Sequence, residues 1–221
     1  MQKFATTAPV TAVLDIPAGR VQFIAADRAD TTVDVRPANA GKNRDVKAAE
    51  QTTVSYADGV LRIQAPEPAN KLTGSGSVEV TVQLPAGSSV EARTAAAELR
   101  VVGRLGDVAF EGAYRQIKID EAASLRLTAT DGDVEVGRLT GPGAISTDRG
   151  SIRVAEAAGR GTLVLRTQDG DITVAAAAGV SAALDAGTSY GRVSNALRND
   201  GATELDIRAT TTRGDITARS L

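Results

Sequence analysis

Four acidic residues, Glu98, Asp133, Asp171 and Asp215, each stand directly before Leu, Val or Ile in segments that otherwise look alike. Carboxylates repeated in one slot could do two kinds of chemistry. A ladder of them can cage calcium, a hard cation that collects several oxygen ligands. A pair can cleave a glycosidic bond, one group acting as acid and the other as base or nucleophile. The same slot, however, holds Gln116, Ser151 and Arg192 in the intervening segments. Asp133 and Asp171 are the closest acidic pair expected in this row, two coils or about 9–10 Å apart at the usual strand spacing. An unbroken oxygen cage is not available, so the spacing supports solvated turn carboxylates.

A second slot reads Thr94, Gly112, Ala129, Thr147, Thr167, Thr188 and Thr211. Aligned hydroxyls can order water, but Gly112 and Ala129 break the file, and a half-exposed strand position also favours Thr. There is no His and no Cys, which excludes Ser-His and Cys-His nucleophiles, thiolate metal ligands and disulfides. A Ser-Lys pair has little to draw on, since Lys118 is the one lysine from Val90 onward. Gly141-Pro142-Gly143 and Gly159-Arg160-Gly161 are turns without the following helix that a phosphate loop needs. The aromatics Phe4, Phe23, Tyr56, Phe110, Tyr114 and Tyr190 are scattered, and only Tyr190, in a turn, suggests an exposed ring for a partner. No catalytic, cofactor-binding or metal-ligating residue is therefore assigned.

The elements that position these residues are short strands in a repeat. The copies are Thr-Asp-Gly-Asp-Val at 130–134, Thr-Asp-Arg-Gly-Ser-Ile at 147–152, Thr-Gln-Asp-Gly-Asp-Ile at 167–172 and Thr-Thr-Arg-Gly-Asp-Ile at 211–216, with a weaker copy at 188–193. Markers at Leu99, Ile117, Val134, Ile152, Ile172, Val193 and Ile216 give about seven coils, with intervals of 18, 17, 18, 20, 21 and 23 residues. Each unit reads strand, turn, strand, turn. One such unit buries too few aliphatic side chains to offset its own ordering entropy, so stability must come from stacking.

The first ninety residues are β-rich but lack this period. Val10 to Ile16, Arg20 to Ala25, Thr31 to Arg36 and Val78 to Leu84 predict strands, and Asp58-Gly59 predicts a hairpin turn. Asp45 to Glu50 predicts a short helical turn, and 65–76 a surface loop. Ile16-Pro17-Ala18-Gly19 and Leu84-Pro85-Ala86-Gly87 suggest two segments that enter the stack alike. The expected organisation is a capping region at 1–89 and a solenoid at 90–221, continuous as one domain.

Aromatics make up 3% of the chain against 42% for all apolar residues, which predicts a thin core of Val, Ile, Leu and Ala. With 25 basic and 27 acidic residues, the net charge of -2 offers no polycation for nucleic acid. The Ala-rich run Val174 to Leu184 is broken by Gly179 and Ser181 and predicts a tight turn, not a membrane span. No apolar leader is visible at the N-terminus, so a cytoplasmic location is expected.

The Gly-Asp-Ile/Val motifs, together with the lead-in Val13-Leu14-Asp15-Ile16-Pro17-Ala18-Gly19, resemble the bacterial "putative adhesin" β-strand-repeat family, a domain of unknown function. The resemblance covers nearly the whole chain. It implies an all-β, single-stranded parallel β-helix, and it brings no catalytic or binding residues. The functional expectation is a non-enzymatic structural or protein-interaction scaffold linked to the cell envelope, acting through an unknown protein partner or by self-association. The alternatives are a surface adhesin and a carbohydrate-active β-helix enzyme. The two strand-edge ends must be covered, the C-terminal one by Arg208, Arg213 and Arg219 with the tapering Ala209 and Ala218.

Overall fold

The computed structural model describes residues 1–66, 76–112 and 116–221. The expectations for Tyr114 and for most of the loop at 65–76 fall outside the described residues.

Apolar residues alternate with polar ones through most of the chain, and a period of two makes strands. In the first part these are β1 (Gln2–Ala5), β2 (Thr11–Ala26), β3 (Asp30–Pro37), β4 (Thr53–Ala57), β5 (Val60–Gln64) and β6 (Val78–Pro85), with the helix α1 (Asn43–Gln51) before β4. The long β7 (Ser89–Glu111) and β8 (Ile117–Asp131) follow, then β9 (Val134–Leu139), β10 (Gly143–Arg149), β11 (Ile152–Ala157), β12 (Gly161–Asp169) and β13 (Ile172–Ala176). The chain ends with β14 (Ala182–Tyr190), β15 (Val193–Ala196), β16 (Leu205–Arg213) and β17 (Ile216–Ser220). In β16, for instance, Leu205, Ile207, Ala209 and Thr211 are buried while Asp206, Arg208, Thr210 and Thr212 are exposed.

The result is a nearly all-β, solenoid-like domain with an open sheet. Two parallel rows of strands form two faces whose apolar sides pack on each other. On the first face β5, the start of β2 and the start of β7 are neighbours, followed by the end of β7, the end of β8, β10, β12, β16 and β14. On the second face the order is β6, the end of β2, the middle of β7, the start of β8, β9, β11, β13, β17 and β15. The core is a set of aliphatic columns in which Leu14, Leu99, Ile117, Leu127 and Phe23 are fully buried.

The marker residues form one column, as the repeat predicts. Leu99, Ile117, Val134, Ile152 and Ile172 stack in register. The column also continues past Leu99 to Val21 and then Val80. The lead-in is therefore part of the stack, and β2 pairs with β7 from Thr11 to Ile24. The strands expected at 10–16 and 20–25 are one bent strand.

Both ends depart from sequence order. At the C-terminal end the column runs Ile172, Ile216, Val193, because β16 and β17 insert between the layer of β12 and β13 and that of β14 and β15. The last layer of the rod is thus residues 182–196. This corrects the expectation that Arg208, Arg213 and Arg219 blunt that end, since their strands have neighbours on both sides. At the other end β5 and β6 lie outside β2, although they follow it in the chain.

Outside β6 the pairing turns antiparallel. β3 pairs antiparallel with β6, β1 with β3, and β4 with β5 through the expected Asp58-Gly59 turn. The expected helical turn is α1, which packs on β3 and β6. Its Asp45 is buried and accepts a hydrogen bond from the Ser77 amide at 3.0 Å. The two Pro-Ala-Gly segments do not enter the stack alike. Pro17 sits at the bend inside β2, whereas Pro85 ends β6 at the opposite turn.

Candidate functional site

Stacking brings the acidic slot into one row along the rod. From Asp133 to Asp215 each side chain serves the backbone of the next layer, whereas Glu98, earlier in the row, lies 3.5 Å from Arg20 Nε. The Ser151 amide donates to Asp133 Oδ1 at 2.8 Å, the Asp171 amide to Ser151 Oγ at 3.3 Å, the Asp215 amide to Asp171 Oδ1 at 2.8 Å, and the Arg192 amide to Asp215 Oδ1 at 2.9 Å. Ser151 substitutes for Asp because the slot requires only an acceptor oxygen. The inverted layer order also corrects the expected spacing, since Asp171 and Asp215 are one layer apart, closer than Asp133 and Asp171. Arg192 lies beside this pair, its Nη2 3.5 Å from Asp215 Oδ2. With one oxygen of Asp133, of Asp171 and of Asp215 committed to an amide, this part of the row is a structural ladder. Among the described residues there is no group of three or more His, Cys, Asp or Glu that could hold a metal ion.

The threonine row lies inside the corner, not half exposed as expected. Thr147, Thr167 and Thr211 are buried. The Thr167 hydroxyl donates to the Gly150 carbonyl at 2.9 Å, Thr211 to Gly170 at 3.0 Å and Thr188 to Gly214 at 3.0 Å. Thr94 makes the same kind of bond to Gly112. These glycines form a ladder of their own. Gly150, Gly170 and Gly214 have φ of 127°, 154° and 143°, and a Cβ on any of them would overlap the carbonyl of the glycine below. Only Gly fits both the backbone angle and the approach.

Next to this corner runs a row of alternating charge: Asp131, Arg149, Asp169, Arg213 and finally Tyr190. Arg149 is 2.9 Å from Asp131, and Arg213 is 3.0 Å from Asp169. Tyr190 closes the row, 75% exposed. The weak lead from sequence is thus located at the end of the rod, at the terminus of β14.

The feature that sequence reasoning missed lies on the outer side of the first face. Ser89, Ala109, Ser124 and Ala144 are small outward-facing residues on successive strands, and with Pro142 just before β10 they leave a groove of 550 Å³. Glu91, Asp107 and Arg126 supply charge along it. Ser124 donates to Asp107 Oδ1 at 2.6 Å. A smaller hollow of 270 Å³ continues it past Arg93 and Glu111. The surface offers small hydroxyls and mixed charge along its length. These residues are far apart in sequence, and the only signal for them is a small side chain in the outward slot of several units.

Fold and surface together define a β-solenoid-like domain with side-chain ladders in its corners and a groove on one flank. Residues 11–219 match the family described as Toastrack DUF4097, and the chain belongs to that family. Among solved structures, a "putative adhesin" from Bacteroides fragilis NCTC 9343 is 12% identical, with a TM-score of 0.45 and coverage of 98% of this chain and 95% of that one. A "putative cell adhesion protein" from Clostridium sporogenes ATCC 15579 is 11% identical, with a TM-score of 0.40 and coverage of 100% and 98%. No curated protein matches the chain. No helix among the described residues is long and apolar enough to cross a membrane.

Proposed function

We propose that the chain is a non-enzymatic interaction scaffold: a single-stranded parallel β-helix, with coils of 17–23 residues in its repeat region, that presents its flank to a protein partner at the cell envelope. Within residues 1–89, β2, β5 and β6 add layers and β1, β3, β4 and α1 act as the cap of one end, and the protein works inside the cell. The observation that carries this reading is the division of labour between inside and outside. The repeated Thr and Asp side chains and Gly carbonyls, which are the chain's regular chemistry, are used up in holding layers together. The irregular outward residues are left to form the groove. Repeat scaffolds commonly divide structure from recognition in this way.

The test is to fill the groove. Ala144→Arg and Ala109→Arg keep the core intact and block the hollow, so a partner retained by the intact chain on affinity capture should be lost by both variants. Retention by both variants would remove the groove from the account. Cell fractionation checks the location, where recovery outside the membrane would favour the adhesin alternative. A carbohydrate-active enzyme would release reducing ends from a polysaccharide and lose that activity in Asp171→Asn.

A further inference from the structure

The C-terminal segment fills a slot instead of an end. β16 lies between β12 and β14 on one face, and β17 between β13 and β15 on the other. We propose that residues 204–221 form a releasable arm: the arm leaves the slot, and the layer of β14 and β15 closes directly onto that of β12 and β13. The released strand–turn–strand unit is then free to pair with another sheet edge.

The corner atoms carry the argument, because the layer of β12 and β13 and the inserted layer offer the same acceptors to the one above. The layer of β12 and β13 presents the Gly170 carbonyl to the Thr211 hydroxyl at 3.0 Å and Asp171 Oδ1 to the Asp215 amide at 2.8 Å. The inserted layer presents the Gly214 carbonyl to the Thr188 hydroxyl at 3.0 Å and Asp215 Oδ1 to the Arg192 amide at 2.9 Å. The terminal layer can therefore make against Gly170 and Asp171 the bonds it now makes against Gly214 and Asp215. The columns agree as well. Reading across the arm, Leu184 lies in line with Leu163, Ala186 with Leu165, Thr188 with Thr167 and Val193 with Ile172. Closing the slot changes no bond type and no facing of a side chain.

The connections suit such a movement. The turn at 177–181 climbs two layers, whereas that at 158–160 climbs one. Gly179 and Gly201, in the turns on either side of the terminal layer, have φ of 83° and 96° and open space around them, as hinge positions require. The terminal layer itself is held least, with all of β15 exposed and Val193 46% exposed. The arm is held in the slot by burial, with Leu205, Ile207 and Ile216 no more than 1% exposed, and charge sets which layer it lies against. Arg213 pairs with Asp169 and Arg160 with Glu204 at 2.7 Å, whereas Tyr190 stands in the terminal layer where Arg213 stands in the arm. Both pairs are largely exposed, so the charged part of this lock is weak and salt-sensitive.

The chain has no native cysteine, so the test uses introduced pairs in the full chain. Thr167→Cys with Thr188→Cys places thiols two layers apart, with Thr211 between them. That is about 9–10 Å, beyond the reach of a disulfide until the slot closes. Ala129→Cys with Thr167→Cys flanks Thr147 in the same way, where no layer leaves. Under oxidised glutathione in native buffer, the 167–188 disulfide should form at least about tenfold faster than the 129–167 one, because only the first needs a local opening. Arg213→Asp, added to the first pair, should speed it further. Equal rates for the two pairs, whether both slow or both fast, would overturn the proposal, as would a 167–188 rate indifferent to Arg213→Asp.

Discussion

Gly170 and Gly187 show how strongly a residue's place in the stack decides its role. Gly170 has φ of 154°, and a Cβ there would overlap the Gly150 carbonyl, whereas Gly187 on the terminal strand has open space in front of it. Gly170→Ala should therefore cost roughly 2–4 kcal/mol of stability, from backbone strain plus displaced layers. Gly187→Ala should stay within about 0.5 kcal/mol of the parent. Chemical denaturation of the two variants checks both values. Thr211 makes a comparable argument through its hydroxyl, which donates to Gly170 and lies 3.2 Å from the Arg213 carbonyl. Thr211→Val keeps the shape and removes the donor, so a loss of about 1 kcal/mol is expected. These rows were legible in the sequence because the spacing from Thr to Gly to the marker survives every change in turn length. Their burial was not legible, because Thr is equally at home on an exposed strand.

At the scale of elements, the outermost strand β1 is tied to β3 by charge as well as by pairing. The Arg28 guanidinium, followed by the Lys3 ammonium, holds the Asp30 carboxyl down at about 2, from an ordinary 3.8. Arg28 and Lys3 lie 2.7 and 2.9 Å from it. A carboxyl depressed in the folded state stabilises that state above its ordinary value. That stabilisation is lost as pH falls from about 3.8 through about 2. An NMR titration of the Asp30 carboxyl should give a midpoint near 2, rising towards 3.8 in Lys3→Ala, and an unshifted midpoint would dissolve the link. The sequence predicted the strands here but not their pairing. β2, β5 and β6 lack the Thr-to-Gly corner, and a bend at Pro17 replaces it, so nothing in the repeat marks them as layers.

For the whole molecule, the N-terminal end is covered by β1, β3, β4 and α1, while the other end is the open layer of β14 and β15. Deleting residues 1 to 60 removes β2 and bares the edge of β7, so the truncated chain should aggregate on size-exclusion chromatography. A soluble, folded product would contradict the capping role. The order of layers at the C-terminal end was the least legible feature. The layers of Asp171 and Asp215 share their corner chemistry, so either can carry the layer above, and the charge pairs Asp169–Arg213 and Arg160–Glu204 distinguish the true neighbours. Hydrogen exchange tests that order most directly. The account predicts that the amides of β16, enclosed on both sides, exchange more slowly than those of β14, although β16 is nearer the chain terminus. Fast exchange in β16 with strong protection in β14 would mean that the layers follow the sequence, and the inserted layer would be wrong.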